Sequence, residues 1–319
     1  MKSTRLLFIA AMALSSALQA QPYPNKPVRL VVNSGPSGPS DFLARGLSQV
    51  MPPIMGQPFV VENRAGANGI IGAEAAAKSP AEGYTFLVTV SAPISANPFF
   101  YTKLPYDPVK DFAPVHLAGA ITATYVAHPS LAANTMPELL ALAKARAGQL
   151  TFSSSGNGSG AHLSGEMLKT LGKVNMLHIP YNGAGALLPD LIAGQVQVMF
   201  EGPGLQVHAK SGKVRILAAT GSKRAAVYPD VPTLNETLLP GFDVGTWFGL
   251  SVPSGTPRTM IDRLNQEMVA ILRSPAQIAR FAQQGLESMP STPEEMSERI
   301  RVEYPIWSKV MRSAGIEAE

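Results

Sequence analysis

Cysteine is absent from the 319 residues. Its absence excludes a thiolate nucleophile, a thiolate zinc site, an iron–sulfur cluster and any disulfide. Charge is scarce: Asp, Glu, Lys and Arg together make 15% of the chain. No Lys/Arg run is longer than the pair Lys223-Arg224, so the formal net charge of +4 is mild excess base and not a nucleic-acid footprint. Past the first residues there is no apolar run of about 18, so no later membrane span is expected. The five histidines show neither H-E-x-x-H nor another close His–carboxylate spacing, which leaves zinc without a site. G-x-S-x-G is missing too, and no serine stands in a triad context.

What is present describes a globular, exported chain. Hydrophobic residues make 45%, and Gly and Pro number 28 each, which implies many ordered turns. The length suits two domains. Lys2 and Arg5 precede the apolar stretch Leu6–Leu14, and small residues follow up to Ala20 with no acidic residue between. Residues 1–20 are therefore expected to be a secretory signal peptide, cleaved after Ala20 or, alternatively, after Ala17. The mature protein is then expected to be soluble and exported.

Beyond Ala20 the chain alternates strand and helix. Val28–Val32, Phe59–Val61, Tyr84–Val90, Leu150–Ser153, Met176–Ile179, Val196–Phe200 and Val214–Ala219 read as strands. Helical spacing recurs over 42–51, 69–78, 136–147, 163–171, 184–193 and 260–272. Such alternation predicts an α/β fold with largely parallel sheets.

One unit occurs twice: a strand, a loop of small residues, then a helix. The first loop is Asn33-Ser34-Gly35-Pro36-Ser37-Gly38-Pro39-Ser40-Asp41. The second is Ser153-Ser154-Ser155-Gly156-Asn157-Gly158-Ser159-Gly160. Each delivers a helix N-terminus, whose first N–H groups lack intrahelical partners and attract anions. In open α/β sheets ligands sit beyond the carboxyl ends of strands, so two such loops would face each other across a cleft. Neither loop holds Lys or Arg, so a carboxylate would be held by neutral donors. Gly156-Asn157-Gly158-Ser159-Gly160-Ala161 also fits the dinucleotide fingerprint, but the acidic residue expected about 20 positions on is missing. His162, in the first turn after the second loop, either touches a ligand or caps local backbone; His178 reads as structural. Tyr181-Asn182-Gly183 and Ser91-Ala92 are further candidate donor turns. Glu201 ends a strand where ligands of this fold class bind.

Several blocks carry a resemblance across the mature chain. They include Tyr23-Pro24, Lys26-Pro27 and Arg29–Val32; Gly38-Pro39-Ser40-Asp41; Val60–Arg64 with Gly66-Ala67; Gly83-Tyr84-Thr85; and Leu104–Phe112. Ser155–Ser159, Pro180-Tyr181 with Gly183, Pro229–Thr233 and Trp247–Leu250 complete the set. The sequence is similar to the periplasmic substrate-binding receptors of tripartite tricarboxylate transporters, the Bug (TctC-like) family. The resemblance implies a type II periplasmic-binding-protein fold: two α/β domains joined by two crossings, with the ligand in the cleft. With crossings near 120 and 245, residues 21–120 plus 246–319 form domain 1 and 121–245 form domain 2.

It further implies a monomeric receptor, without cofactor or metal, that captures a small organic carboxylate reversibly. The captured acid goes to membrane permease subunits. A sensor signalling through a membrane partner is the alternative, and a secreted α/β hydrolase a remoter one. The expected ligand contacts are Ser34, Gly38, Pro39, Ser40, Asp41, Ser91, Ala92, Ser155, Gly156, Asn157, Gly158, Ser159, His162, Tyr181, Gly183 and Glu201. The chain departs from the family pattern at Ser34, where relatives carry an aromatic residue, and at Glu201, where they often carry Asp.

Overall fold

The computed structural model describes residues 23–314 except 155, 158, 182–186, 202–204, 222, 226, 239–244 and 284, and without the side chains of 201, 206, 313 and 314. The expected signal peptide lies outside the described residues. The chain builds β1 (Val28–Val32), β2 (Phe59–Asn63), β3 (Thr85–Val90) and β4 (Phe112–Ile121). It then builds β5 (Thr124–Ala127), β6 (Thr151–Ser154), β7 (Leu177–Pro180), β8 (Val198–Glu201) and β9 (Arg215–Ala219), and returns with β10 (Thr246–Pro253) and β11 (Glu287–Ser288). Two sheets result, ordered β11-β4-β10-β3-β1-β2 and β7-β6-β8-β5-β9. They are the cores of two α/β lobes, and the fold is that of a type II periplasmic binding protein.

The sheets are mixed, which corrects the expectation of largely parallel pairing. β1 runs parallel to β2 and β3, and β6 parallel to β7 and β8. But β10 is antiparallel to β3 and β4, β11 to β4, and β5 to β8 and β9. The physical reason is the crossing: β5 and β10 enter their lobes from the other one, so each starts at the carboxyl ends of its neighbours and runs against them. Apolar periodicity locates strands but carries no direction.

β1 lies inside the sheet between β3 and β2 and is apolar apart from Arg29, and Leu30 and Val32 face the helices α1 (Pro39–Val50), α6 (Arg258–Leu272) and α7 (Pro275–Gln283). Here α2 is Ile70–Ala77, α3 Ser91–Ser95, α4 Met136–Ala145, α5 Gly160–Gly172 and α8 Pro293–Ala314. Leu43 and Leu47 of α1, four residues apart, meet Leu264, Met268 and Phe281 in that layer. Val31 and Leu87 face the opposite layer with Ala73, Trp247, Met296 and Ile300. The second lobe repeats the plan around Tyr125, Phe152, Leu139, Leu168 and Phe200. Thr135 caps α4 by accepting from Glu138 N–H, and Ser159 caps α5 by accepting from His162 N–H.

The chain leaves the first sheet after Ile121 and enters the second at Thr124; it returns at Thr246, which pairs with Ile121. The two crossings thus lie side by side. α8 makes a third connection. Its first half packs on the first lobe: the Trp247 indole donates to Glu303 Oε2 at 2.9 Å, and Tyr304 Oη donates to Ile94 O at 3.0 Å. Its second half packs on the second lobe, where Val310 is part of the core and Ile306 and Trp307 lie against it. Pro305 stands at the handover. The segment 246–319 therefore contributes its last described turns to the second lobe. Among the described residues no helix is long and apolar enough to cross a membrane.

Candidate functional site

The first loop leaves β1 and is braced from within. Asn33 is buried and donates to Thr89 Oγ1 at 2.8 Å. Ser37 takes a positive φ of 68°. The Asp41 carboxylate gathers the loop: it accepts from Ser37 N–H at 2.9 Å, from Asn63 Nδ2 at 2.9 Å and from Arg45 Nε at 2.8 Å. Asn63 also donates to Ser34 O at 3.3 Å. Burial alone would raise the Asp41 pKa. Hydrogen bonds from Arg45, Ser37 and Asn63 outweigh it and hold the carboxyl below its ordinary value. Asp41, expected among ligand contacts, thus has its carboxylate engaged by the loop, by α1 and by the end of β2. Gly38 stands at the N-cap of α1 with no side-chain cap hydrogen bond, and Pro39 follows at the start of the helix. The first-turn N–H groups of Ser40 and Asp41 are left without helical acceptors, as in any helix start. The Ser34 hydroxyl is buried and has no hydrogen-bond partner.

The third donor turn starts directly from β3. Ser91 opens α3, again with no side-chain cap, and Ser95 Oγ, one turn on, is buried without a partner. These turns pack tightly: a Cβ at Gly69 would lie 2.6 Å from Pro93 Cγ, and one at Gly72 would lie 2.6 Å from Asn33 Cα. Glycine at these two positions lets the loops after β1, β2 and β3 converge.

In the second lobe, Gly156 has a φ of 136°, which favours glycine, and its N–H donates to Ser154 Oγ at 3.2 Å. Asn157 is exposed. His162 is buried, with its ring stacked on His178 at 4.0 Å and 14°. His178 in turn stacks on Phe152 at 4.9 Å and meets the Ser154 hydroxyl at 2.6 Å. Burial, then the neighbouring His178 and Lys169, push the His162 pKa down to about 3. Burial and Lys169 push His178 to about 4. Both rings are neutral at neutral pH, so neither supplies a cation. The Tyr181 hydroxyl donates to Asp190 Oδ2 at 2.7 Å, and that bond raises its pKa to about 12; it is committed to its own lobe. Glu201 ends β8 opposite Thr124. Its side chain, with Ser155, Gly158 and Gly183, lies outside what is described.

The lobes meet over α3 and the first turns of α5. A cavity of about 30 Å³ lies there, lined by Ser91, Ala92 and Ser95 from one lobe, by Gly160, Leu163 and Ser164 from the other, by Gly245 and Thr246 of the return crossing, and by Trp307. A Cβ on Gly160 would sit 3.1 Å from Thr246 Oγ1, so a bare glycine admits the close approach of α5 to the crossing. Beside the cavity Ala96, Phe100, Leu163 and Met311 form an apolar cluster shared between the lobes. Ser91 and Ala92 are thus brought to the start of α5, next to Ser159 and His162; residues 34–41 do not line this cavity. Ser95, Ser164 and Trp307 escaped the sequence reading. Ser95 follows Ser91 at helical spacing, a usable signal. Trp307 carries none, since its place depends on the whole course of α8.

Two α/β lobes, paired crossings and neutral donor turns at strand ends define a solute-binding protein. The chain belongs to the Tripartite tricarboxylate transporter family receptor family, TctC, whose description matches residues 43–316. It is 37% identical to Protein BugT of Bordetella pertussis over 324 residues, which cover 99% of each chain. R. palustris Rpa4515, solved with adipate, superposes with a TM-score of 0.79 at 32% identity, covering 93% of this chain and 100% of that one. MatC from Rhodopseudomonas palustris, with bound malate, gives a TM-score of 0.74 at 31% identity over 90% and 99%. The family and these structural neighbours are solute-binding proteins.

Proposed function

We propose that this protein is a periplasmic receptor that captures a small organic carboxylate reversibly between its lobes and delivers it to a membrane permease. The observation that carries the reading is the convergence of α3 and the start of α5 across the lobe boundary, in a chain of the same fold as proteins solved with adipate and malate. Donors in the loops are backbone N–H groups, hydroxyls and amides. Hydrogen bonds to a charged group contribute about 1.5–3 kcal/mol each. Three to five would gross roughly 5–15 kcal/mol before the cost of ordering the ligand and closing the lobes. Micromolar affinity needs about 8 kcal/mol, so no cation is required.

Ser34, Ser40 and the loop 155–159 are assigned to the carboxylate, and Ser91 and Ala92 to the opposite end of the ligand. Glu201, by its place at the end of β8, is assigned to the far end of the ligand. A carboxylate there disfavours a second ligand anion and favours a hydroxyl or amine, so the preferred ligand is a monocarboxylate with a polar tail. A thermal-shift screen of carboxylic acids tests the reading. A ligand at about 100 times its Kd stabilises the native state by about 2.7 kcal/mol. A panel of mono- and dicarboxylates that leaves Tm unmoved would overturn it.

A further inference from the structure

One wall of the cavity between the lobes comes from the far end of the chain. Trp307 lies in the second half of α8, packs against the second-lobe core and faces Ser91, Ser95 and Ser164 across the cavity. The chain has two tryptophans. Trp247 is buried in the first lobe with its indole N–H tied to Glu303. Trp307 is the one placed at the lobe boundary.

The opposite wall sets Ser91, Ser95 and Ser164 among Ala92, Ala96, Ala123 and Leu163. Ser95 is fully buried, yet its Oγ has no hydrogen-bond partner. A buried hydroxyl left unpaired is costly, so the arrangement favours a polar group that arrives in the cavity. A volume of about 30 Å³ suits one water-sized group with polar neighbours and no hydrocarbon. The indole is broad and has only two rotatable bonds. Packed on one side by the second-lobe core, it cannot turn aside without moving α8.

We propose that Trp307 is the stop at the inner end of the binding cleft. With Ser91 and Ser95 it forms an end pocket that takes a terminal hydroxyl, or the water bound to one, and excludes further methylene groups. A residue from the last helix thereby sets the length of the ligand. The inference rests on the carboxylate reading above and adds the length selection.

The test is calorimetric titration of ω-hydroxy carboxylates of graded chain length into the wild type, Trp307→Phe, Trp307→Ala and Ser95→Ala. In the wild type, affinity should fall at least tenfold on the first added methylene past the preferred length. Trp307→Ala should move the preferred length upward by two or more carbons, and Trp307→Phe by one. Ser95→Ala should weaken the hydroxy acid at least fivefold and leave the unsubstituted acid of equal length within twofold. An equal change at every length in the Trp307 variants overturns the stop, since a merely structural residue would behave so. If the alanine variant does not fold, the phenylalanine variant decides. A second readout uses wild-type protein labelled with 5-fluorotryptophan: the resonance missing from Trp307→Phe should shift on saturation with ligand. An unmoved resonance overturns the stop alone. A wild type that binds no carboxylate overturns the functional reading and the stop with it.

Discussion

Acidification should unfold this protein well above the pH at which its carboxylates titrate. Two buried histidines, His116 and His162, and the half-buried His178 set the effect. His116 lies fully buried, with Nδ1 at 2.8 Å from Leu117 O and Nε2 at 3.1 Å from Met268 Sδ. Burial pushes its pKa to about 4, against the opposing hydrogen bond to Leu117. His162 and His178, at about 3 and about 4, form the stacked pair of the second lobe. In the unfolded chain each takes a proton near pH 6.5. In the folded chain each resists until about pH 4 or below. Between those limits the unfolded state holds more protons, so stability rises with pH and is lost as pH falls below about 6.5. Three withheld protons give a slope of up to about 4 kcal/mol per pH unit, hence up to about 6 kcal/mol by pH 5. That approaches the whole stability of an ordinary domain, about 5–15 kcal/mol. Asp41 and Glu62 have lowered pKa values and add their loss only below the ordinary carboxylate range, outside this window. Urea unfolding followed by circular dichroism, at steps from about pH 7 to about pH 5, measures the slope. His178→Gln should reduce it by about 1.4 kcal/mol per pH unit. A wild type with flat stability over this range, or a variant with the wild-type slope, refutes the reasoning.

Asp41→Ala strips the first loop of its acceptor and should cost about 2–4 kcal/mol in urea unfolding, since charge-assisted bonds to Ser37 and Asn63 are lost; under 1 kcal/mol would show that the brace is idle. Ser40→Pro removes one N–H from the first turn of α1 and should lower ligand affinity at least tenfold with the fold intact, whereas unchanged calorimetric affinity sinks that donor. Glu201→Gln should weaken a hydroxyl- or amine-bearing acid and improve a dicarboxylate by up to about three decades, the worth of two like charges about 4 Å apart at an effective dielectric of about 20; both affinities within twofold of wild type would remove Glu201 from the site. Small-angle scattering should give a smaller radius of gyration with saturating ligand, because hinged lobes close around it; equal radii count against hinging.

Local patterns in the sequence were the reliable part. Val28–Val32 reads as a strand and is one, because a short valine-rich run bounded by turn residues is too brief for a helix and suits a buried strand. The spans 136–147 and 163–171 correspond to Met136–Ala145 and Gly160–Gly172, where Thr135 and Ser159 supply the caps. Strand direction was not legible, since β10 lies between β3 and β4 through pairings made across long stretches of chain. At the site, the small-residue turns identified Ser91 and Ala92, which line the lobe boundary. The role of the Asp41 carboxylate as a brace was not legible, because it accepts from Asn63 and Arg45, partners that a linear reading does not supply. Tyr181 is alike, with Asp190 as its partner. Trp307 depended on where α8 ends up, which is the least local fact in the molecule.

The seating of β10 between β3 and β4 has a consequence for the order in which the molecule is assembled. During synthesis the N-terminal strands emerge first, but β3 and β4 share no hydrogen bonds and wait for a strand made over a hundred residues later. The second sheet is built from one uninterrupted stretch, Thr124–Ala219, so its contacts close over shorter loops and form sooner. Its core still lacks Val310 until α8 arrives. The lobe that begins the chain is therefore the later to complete, and neither is finished before the last helix. A chain stopped short of Pro293 would present two unsealed halves, with the apolar seats of Met296, Ile300 and Val310 open to water.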